Sequence, residues 1–185
     1  MKTKQNIKQD LRRSLLAIRG DLADTIRLHW DDQIRTHIRQ HLSALSFTTL
    51  GVYLSIRNEP DLMDLYNILS RSSITLSLPV VTDNQAPLQF AQWVPGESLI
   101  PDRFGVRTPS VKRFISLPEV LLVPCLGFTR DRFRLGYGGG FYDRTLGQIP
   151  GPFAIGVSYS CLKVDFPVGE HDIAMHCLIT EDGVF

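Results

Sequence analysis

The stretch LLVPCLGFTRDRFRLGYGGGFYDRTL (121–146) decides how the chain folds. It begins inside VLLVP (120–124), a short, wholly apolar run of the kind a strand shows when both its faces are buried. Four of the 14 glycines then fall within 136–140, and a short helix is predicted from about Phe141. Strand, glycine-rich loop and helix in that order are the local signature of an α/β fold, where ligands bind beyond the carboxyl ends of the strands. Glycines let backbone N–H groups approach an anion closely, and the start of the following helix adds a favourable dipole. Arg134 and Arg144 flank the loop with positive charge. Asp143 follows directly. A carboxylate beside a phosphate cradle suggests Mg²⁺, a hard ion that takes oxygen ligands; alone it is equally an ordinary helix N-terminal charge.

Familiar nucleotide motifs are excluded. A GxGxxG fingerprint would need glycine at Phe141, and GxxxxGK[ST] lacks its Lys-Ser/Thr. GVSYS (156–160) ends on Ser160 and so misses the GxSxG nucleophile elbow.

Upstream, Ile7, Leu11, Leu15 and Ile18 recur at helical spacing, with Gly20 as the stop. Ile26, Trp30, Ile34, Ile38, Leu42 and Leu45 predict a second, longer helix. TLGVYLS (49–55), ITLSLPVV (74–81), LQFAQWV (88–94), FAIGVSY (153–159) and CLIT (177–180) read as further strands. EPDLMDLYNILSR (59–71) reads as a helix starting near Pro60 or Asp61. Segment 95–118, rich in Pro and Gly, is either an ordered loop near a site or a long surface connection. The expected architecture is a three-layer α/β/α sandwich with a largely parallel central sheet and two N-terminal helices, as one domain over 1–185.

Net charge is +1, which gives no bulk attraction to nucleic acid or anionic membrane. The charge is nonetheless segmented: net +4 over 1–41, −3 over 42–100, +4 over 101–150 and −4 over 151–185. Cys125, Cys161 and Cys177 form no CxxC pair and read as small buried apolar residues. His37 and His41, at i and i+4 without HExxH around them, read as a solvated helix face. No apolar run approaches a membrane span, and MKTKQNIKQDL (1–11) lacks the apolar core of a signal peptide, so a cytoplasmic protein is expected.

The glycine loop, taken with blocks elsewhere, resembles the 5-formyltetrahydrofolate cyclo-ligase family, also called methenyltetrahydrofolate synthetases. That family ends a strand in Pro, places a Phe a few residues on, and continues R-L-G-x-G-x-G-[YF]-Y-D; here these are Pro124, Phe128 and RLGYGGGFYD (134–143). Its K-x-x-L-R block is KQDLR (8–12), its Glu after the first strand is Glu59 in YLSIRNEPD, its His-Asp pair after a Pro is His171-Asp172, and its final T-E is Thr180-Glu181. One departure stands out. The family's F-D-x-x-G-x-R-L is FTRDRFRL (128–135) here, with Thr129 for Asp and Arg132 for Gly, while Asp131 offers a displaced carboxylate.

The resemblance implies a ligase that closes 5-formyltetrahydrofolate to 5,10-methenyltetrahydrofolate with ATP and Mg²⁺, releasing ADP and phosphate. It implies Lys8, Arg12, Arg134, Gly136, Tyr137, Gly138, Gly139, Gly140, Phe141 and Tyr142 as ATP contacts, with Lys8 and Arg134 catalytic. Leu54, Glu59 and the loop from Tyr137 to Tyr142 are implied folate contacts, and Asp143 and Asp172 the Mg²⁺ carboxylates. The bland readings are a solvated helix face for Lys8 and Arg12, a first-turn helix charge for Glu59, core packing for Leu54, Phe141 and Tyr142, and for His171 a loop cap or an orienter of Asp172. Small-molecule substrates and a monomer are expected. The alternatives are a catalytically weakened nucleotide- or folate-binding regulator on the same fold, an RNA-binding module using 1–41 and 101–150, and a sugar-phosphate isomerase. The RNA module lacks an RNP1-like or KH-like motif, and the isomerase leaves Lys8 and Arg12 unexplained.

Overall fold

The computed structural model describes residues 3–185, so the first two residues of the basic N-terminal stretch lie outside it. Two long helices come first, α1 (Lys4–Gly20) and α2 (Asp24–Ser43). They are followed by β1 (Thr49–Gly51), α3 (Met63–Leu69), β2 (Thr75–Val80), β3 (Gln89–Gln92), β4 (Leu99–Pro101), β5 (Arg107–Pro109) and β6 (Phe114–Ile115). The chain continues through β7 (Val120–Pro124), β8 (Gly127–Phe128), β9 (Arg134–Leu135), α4 (Phe141–Leu146), β10 (Phe153–Val157), β11 (Cys177–Thr180) and β12 (Gly183–Val184).

The main sheet has the order β12-β11-β10-β7-β1-β2-β3-β6. Its five inner strands, β11 to β2, run parallel; β12 and β3 run against them at either side, and β6 pairs antiparallel with β3. β4–β5 and β8–β9 are separate two-stranded ribbons. Alternation along β7 divides the core as a period of two requires. Val120 and Leu122 join the cluster made with α1, α2 and α3, while Leu121 and Val123 join the one made with Leu146 of α4. The three layers are thus present, but the second helical layer is a single six-residue helix.

The helical periodicity holds for Leu15, Ile34, Ile38 and Leu42, all buried. It fails at two positions. Ile18 is 45% exposed, and Arg19 takes the fully buried place beside it. Ile26 is also exposed. α3 begins at Met63, later than Pro60 or Asp61: Asp61 Oδ1 accepts from Met63 N at 3.0 Å and closes the turn before it. His37 and His41 are half-buried rather than solvated; His37 Nδ1 lies 3.0 Å from the Thr180 carbonyl, and His41 lies over Phe153. Cys125 and Cys177 are buried, but Cys161 is exposed. No helix among the described residues is long and apolar enough to cross a membrane.

The chain order fixes where a ligand can sit. From β1 the sheet grows one way through β2, β3 and β6, then the chain returns to β1's other side with β7 and grows through β10 and β11. The carboxyl ends of β1 and β7 therefore flank a switch point, where neighbouring connections diverge and leave a crevice. Gly51 lets β1 close against β7 and β3: a methyl there would overlap Leu121 Cδ2 and come within 2.9 Å of the Phe90 ring. Gly51→Ala is expected to cost about 1–3 kcal/mol by overpacking. That lowers the melting temperature by roughly 2–12 °C, read by thermal unfolding.

Candidate active site

A cavity of about 590 Å³ opens at this switch point. Tyr53 and Leu54 enter it after β1, Leu78 and Pro79 from β2, and Pro124 from β7. α1 crosses its mouth and the glycine loop forms one wall. All the residues implied by the resemblance line it: Lys8, Arg12, Leu54, Glu59, Arg134, Gly136 to Gly140, Phe141, Tyr142, Asp143 and Asp172. They come from four segments that the sequence separates widely. The 95–118 segment is neither one ordered loop nor a plain surface connection: it carries β4, β5 and β6, and Asp102, Phe104, Val106 and Arg107 of the β4–β5 ribbon line the cavity. Asp102 Oδ1 ties that turn by accepting from the N–H groups of Phe104 and Val106 at 2.8 and 2.9 Å. The Phe104 ring then meets Phe141 edge-on at 5.7 Å. Nothing periodic in the sequence marks these residues.

One half of the cavity is cationic. Lys8 and Arg12 point into it from successive turns of α1. Lys8 Nζ pairs with Asp172 Oδ2 at 2.5 Å, and that oxygen also accepts from Gly169 N at 2.7 Å. His171 supplies neither contact. Burial pushes the Asp172 carboxyl up, but the Gly169 N–H, the Lys8 ammonium and Arg134 outweigh it and hold the group below the usual carboxylate range. Arg12 Nε donates to the Gly136 carbonyl at 2.7 Å. Burial and the neighbouring Arg134 hold the Arg12 guanidinium below its ordinary value. Arg134 donates to Asp143 Oδ2 at 3.1 Å and lies 5.1 Å over the Tyr142 ring, with its Nε buried and unpartnered.

Gly138 is required twice over: its φ is +98°, and a Cβ there would lie 3.3 Å from the Arg12 guanidinium carbon. α4 is only six residues long, so cations and loop amides, more than a helix dipole, attract an anion here. Asp143 and Asp172 each commit Oδ2 to a cation. Among the described residues no cluster of three or more His, Cys, Asp or Glu could hold a metal. The donor set suits Mg²⁺, which takes one or two carboxylates and completes its shell with phosphate and water oxygens.

The other half is built around the buried side chains of Tyr53, Leu54 and Glu59. Glu59 is not a first-turn helix charge. It lies in the tight turn before α3, 1% exposed, where Arg57 and Asn58 adopt φ of +50° and +60°. Glu59 Oε2 accepts from Ile56 N at 3.1 Å, and Oε1 accepts from the Tyr137 hydroxyl at 2.7 Å. Burial pushes the Glu59 carboxyl up; the Tyr137 hydroxyl and the Arg19 charge pull it back only in part. Leu54 is both core and wall. A buried carboxylate among aromatic rings suits a flat heterocycle with N–H donors, and the cationic half suits phosphates.

The 5-formyltetrahydrofolate cyclo-ligase family model matches residues 4–181. The chain belongs to that family. A Mycolicibacterium smegmatis 5-formyltetrahydrofolate cyclo-ligase is 31% identical over 96% of this chain and 95% of its own length. The Escherichia coli (strain K12) protein of the same name is 31% identical over 83% and 88%. Both are named as ligases, the enzyme class the sequence implies. Among solved structures, the Aquifex aeolicus 5,10-methenyltetrahydrofolate synthetase superposes with a TM-score of 0.82 at 26% identity, covering 96% of this chain and 91% of that one. A Mycoplasma pneumoniae 5,10-methenyltetrahydrofolate synthetase gives 0.79 at 24% identity, a likeness of fold.

The departure from the cyclo-ligase pattern at 129–132 keeps its shape by other means. The loop joins β8 to β9, and Arg132 N donates to the Thr129 carbonyl at 3.0 Å. Thr129 Oγ1 accepts from Phe133 N at 3.2 Å and helps close the turn. Arg132 sits at φ +65° where the family has Gly. Asp131 does not line the cavity. A left-handed non-glycine residue costs on the order of 1 kcal/mol or more. Arg132→Gly is therefore expected to raise the melting temperature by about 2–4 °C; a fall would mean the Arg132 side chain contributes more than its backbone strain costs.

Proposed function

We propose that the protein catalyses the ATP- and Mg²⁺-dependent closure of 5-formyltetrahydrofolate to 5,10-methenyltetrahydrofolate, releasing ADP and phosphate. The observation that carries this reading is one cavity that gathers Lys8, Arg12, Arg134 and the glycine loop together with the buried carboxylate of Glu59. A formamide carbonyl is a poor electrophile and its oxygen a poor leaving group, so activation is needed. The γ-phosphoryl group passes to the formyl oxygen: the bond to ADP breaks, a P–O bond forms, and the formyl carbon becomes an imidate phosphate. N10 then attacks that carbon and loses its proton to solvent as the C–O bond breaks and phosphate leaves.

The residues' tasks follow from their charge and position. Such transfer depends mainly on positioning and charge neutralisation. Lys8 and Arg12 bind phosphate oxygens from α1, and Arg134 neutralises the transferring group. Gly136 to Gly140 admit the phosphates against the backbone. Asp143 and Asp172 would hold Mg²⁺, which supplies charge neutralisation between phosphate oxygens when bound. Glu59 accepts from N–H groups of the reduced pterin, and Leu54, Tyr137, Phe141 and Tyr142 pack on its rings. The intact turn at Thr129 gives a catalytically weakened regulator no support. The compartment proposed is the cytoplasm and the working form a monomer.

With both substrates, near-ultraviolet absorbance of the methenyl product should rise only when ATP and Mg²⁺ are present; no rise rejects the reading. Lys8→Ala should lose a charge-assisted contact of roughly 1.5–3 kcal/mol, a 10- to 100-fold rise in apparent KM for ATP. Unchanged ATP dependence would remove Lys8 from the site. Asp143→Asn should move the Mg²⁺ titration to higher concentration, and an unmoved titration would remove Asp143 as a metal carboxylate.

A further inference from the structure

Arg19 is fully buried in α1, two turns beyond Arg12 on the row Leu11–Leu15–Arg19 that otherwise carries apolar residues. Burying a guanidinium is costly unless its donors are used. Nε donates to the Arg57 carbonyl at 2.9 Å and one terminal nitrogen donates to the Tyr137 hydroxyl at 2.6 Å, while the other terminal nitrogen is buried without a partner. A guanidinium can only donate and an ionised carboxylate can only accept. The proton order along Arg19, Tyr137 and Glu59 therefore has one arrangement: Arg19 donates to the phenol oxygen, and the phenol donates to Glu59 Oε1. Arg19 itself does not line the cavity.

We infer that Arg19 is a positioning residue for folate recognition: it keeps Glu59 ionised and aims Tyr137, so that the carboxylate can accept the pterin N–H groups. This rests on the assignment of Glu59 to the folate under the proposed function. The positive charges facing Glu59 are Arg19 from α1 and Arg57 from its own turn. The remaining titratable groups around it are Tyr53 and Tyr66 behind, Tyr137 and Tyr142 from the loop wall, and Cys125 after β7. Burial raises all five, so they stay neutral near pH 7, and beside the Tyr137 hydroxyl and the Ile56 N–H the charges that favour ionised Glu59 are the two arginines. The phosphate-binding half has its own cations, so loss of Arg19 falls on the folate alone.

The test compares Arg19→Met and Arg19→Lys with the wild type in the methenyl assay from about pH 5 to 9. In Arg19→Met the acid limb of kcat/KM for 5-formyltetrahydrofolate should move up by about one pH unit or more. KM for the folate should rise about tenfold or more at pH 7 with KM for ATP within about twofold. Arg19→Lys keeps the charge but loses the fork: its limb should stay and its folate KM rise severalfold. An unmoved limb in Arg19→Met, or folate and ATP constants rising together, overturns the proposal. If Arg19→Met does not fold, the Lys variant decides, and a wild-type folate KM in it overturns the proposal. ¹³C NMR titration of the Glu59 carboxyl in the ligand-free protein gives a readout independent of turnover. Its midpoint should be higher in Arg19→Met than in wild type, and an equal midpoint overturns the proposal. A wild type that makes no methenyl product would defeat the proposed function, and the carboxyl titration would still decide the role of Arg19.

Discussion

Lys8, Arg12 and Arg134 bring three positive charges to one cavity, and the folded chain must neutralise them before any anion arrives. Two unit charges 4 Å apart interact by about 4 kcal/mol at an effective dielectric of 20. The protein answers with two carboxylates from distant segments, Asp172 on Lys8 and Asp143 on Arg134, and with the Gly136 carbonyl on Arg12. The depressed carboxyl of Asp172 and the lowered guanidinium of Arg12 are two faces of that arrangement. Each of these three cations is thus held by a partner from within the protein.

The fold supplies this arrangement through a single helix. Lys8, Arg12 and Arg19 lie 4 and 7 residues apart on α1, which returns them to nearly the same face and spreads them over about 16 Å of axis. One end of the helix reaches the glycine loop through Arg12; the other stands behind Glu59 through Arg19 and Tyr137. The switch point between β1 and β7 supplies the crevice that the helix covers, and Gly51 allows the strands to approach there.

Much of this was legible in the sequence because it is local. VLLVP, the glycine run and the helix from Phe141 are contiguous, and each declares itself by composition or period. Lys8 and Arg12 could be placed beside the apolar row by counting. Arg19 could not, because its burial depends on Tyr137, 118 positions away, and an arginine in a helix ordinarily reads as surface. Glu59 is compatible with the start of a helix; Asn58 is a type that tolerates the left-handed region, but Arg57 before it is not, so the pair that turns Glu59 inward does not read as a turn. His37 and His41 looked solvated because their partners, Thr180 and Phe153, arrive from the far end of the chain. The β4–β5 ribbon carries too few residues to show a period, yet it closes one side of the cavity.

The central claim is that the formyl oxygen is the acceptor of the phosphoryl group, and isotope transfer tests it most directly. The protein is supplied with ATP, Mg²⁺ and 5-formyltetrahydrofolate labelled with ¹⁸O at the formyl oxygen, and the inorganic phosphate is analysed by mass. One labelled oxygen in each phosphate released is the expected result. Unlabelled phosphate, with the label recovered in water, would contradict phosphorylation of the formyl oxygen.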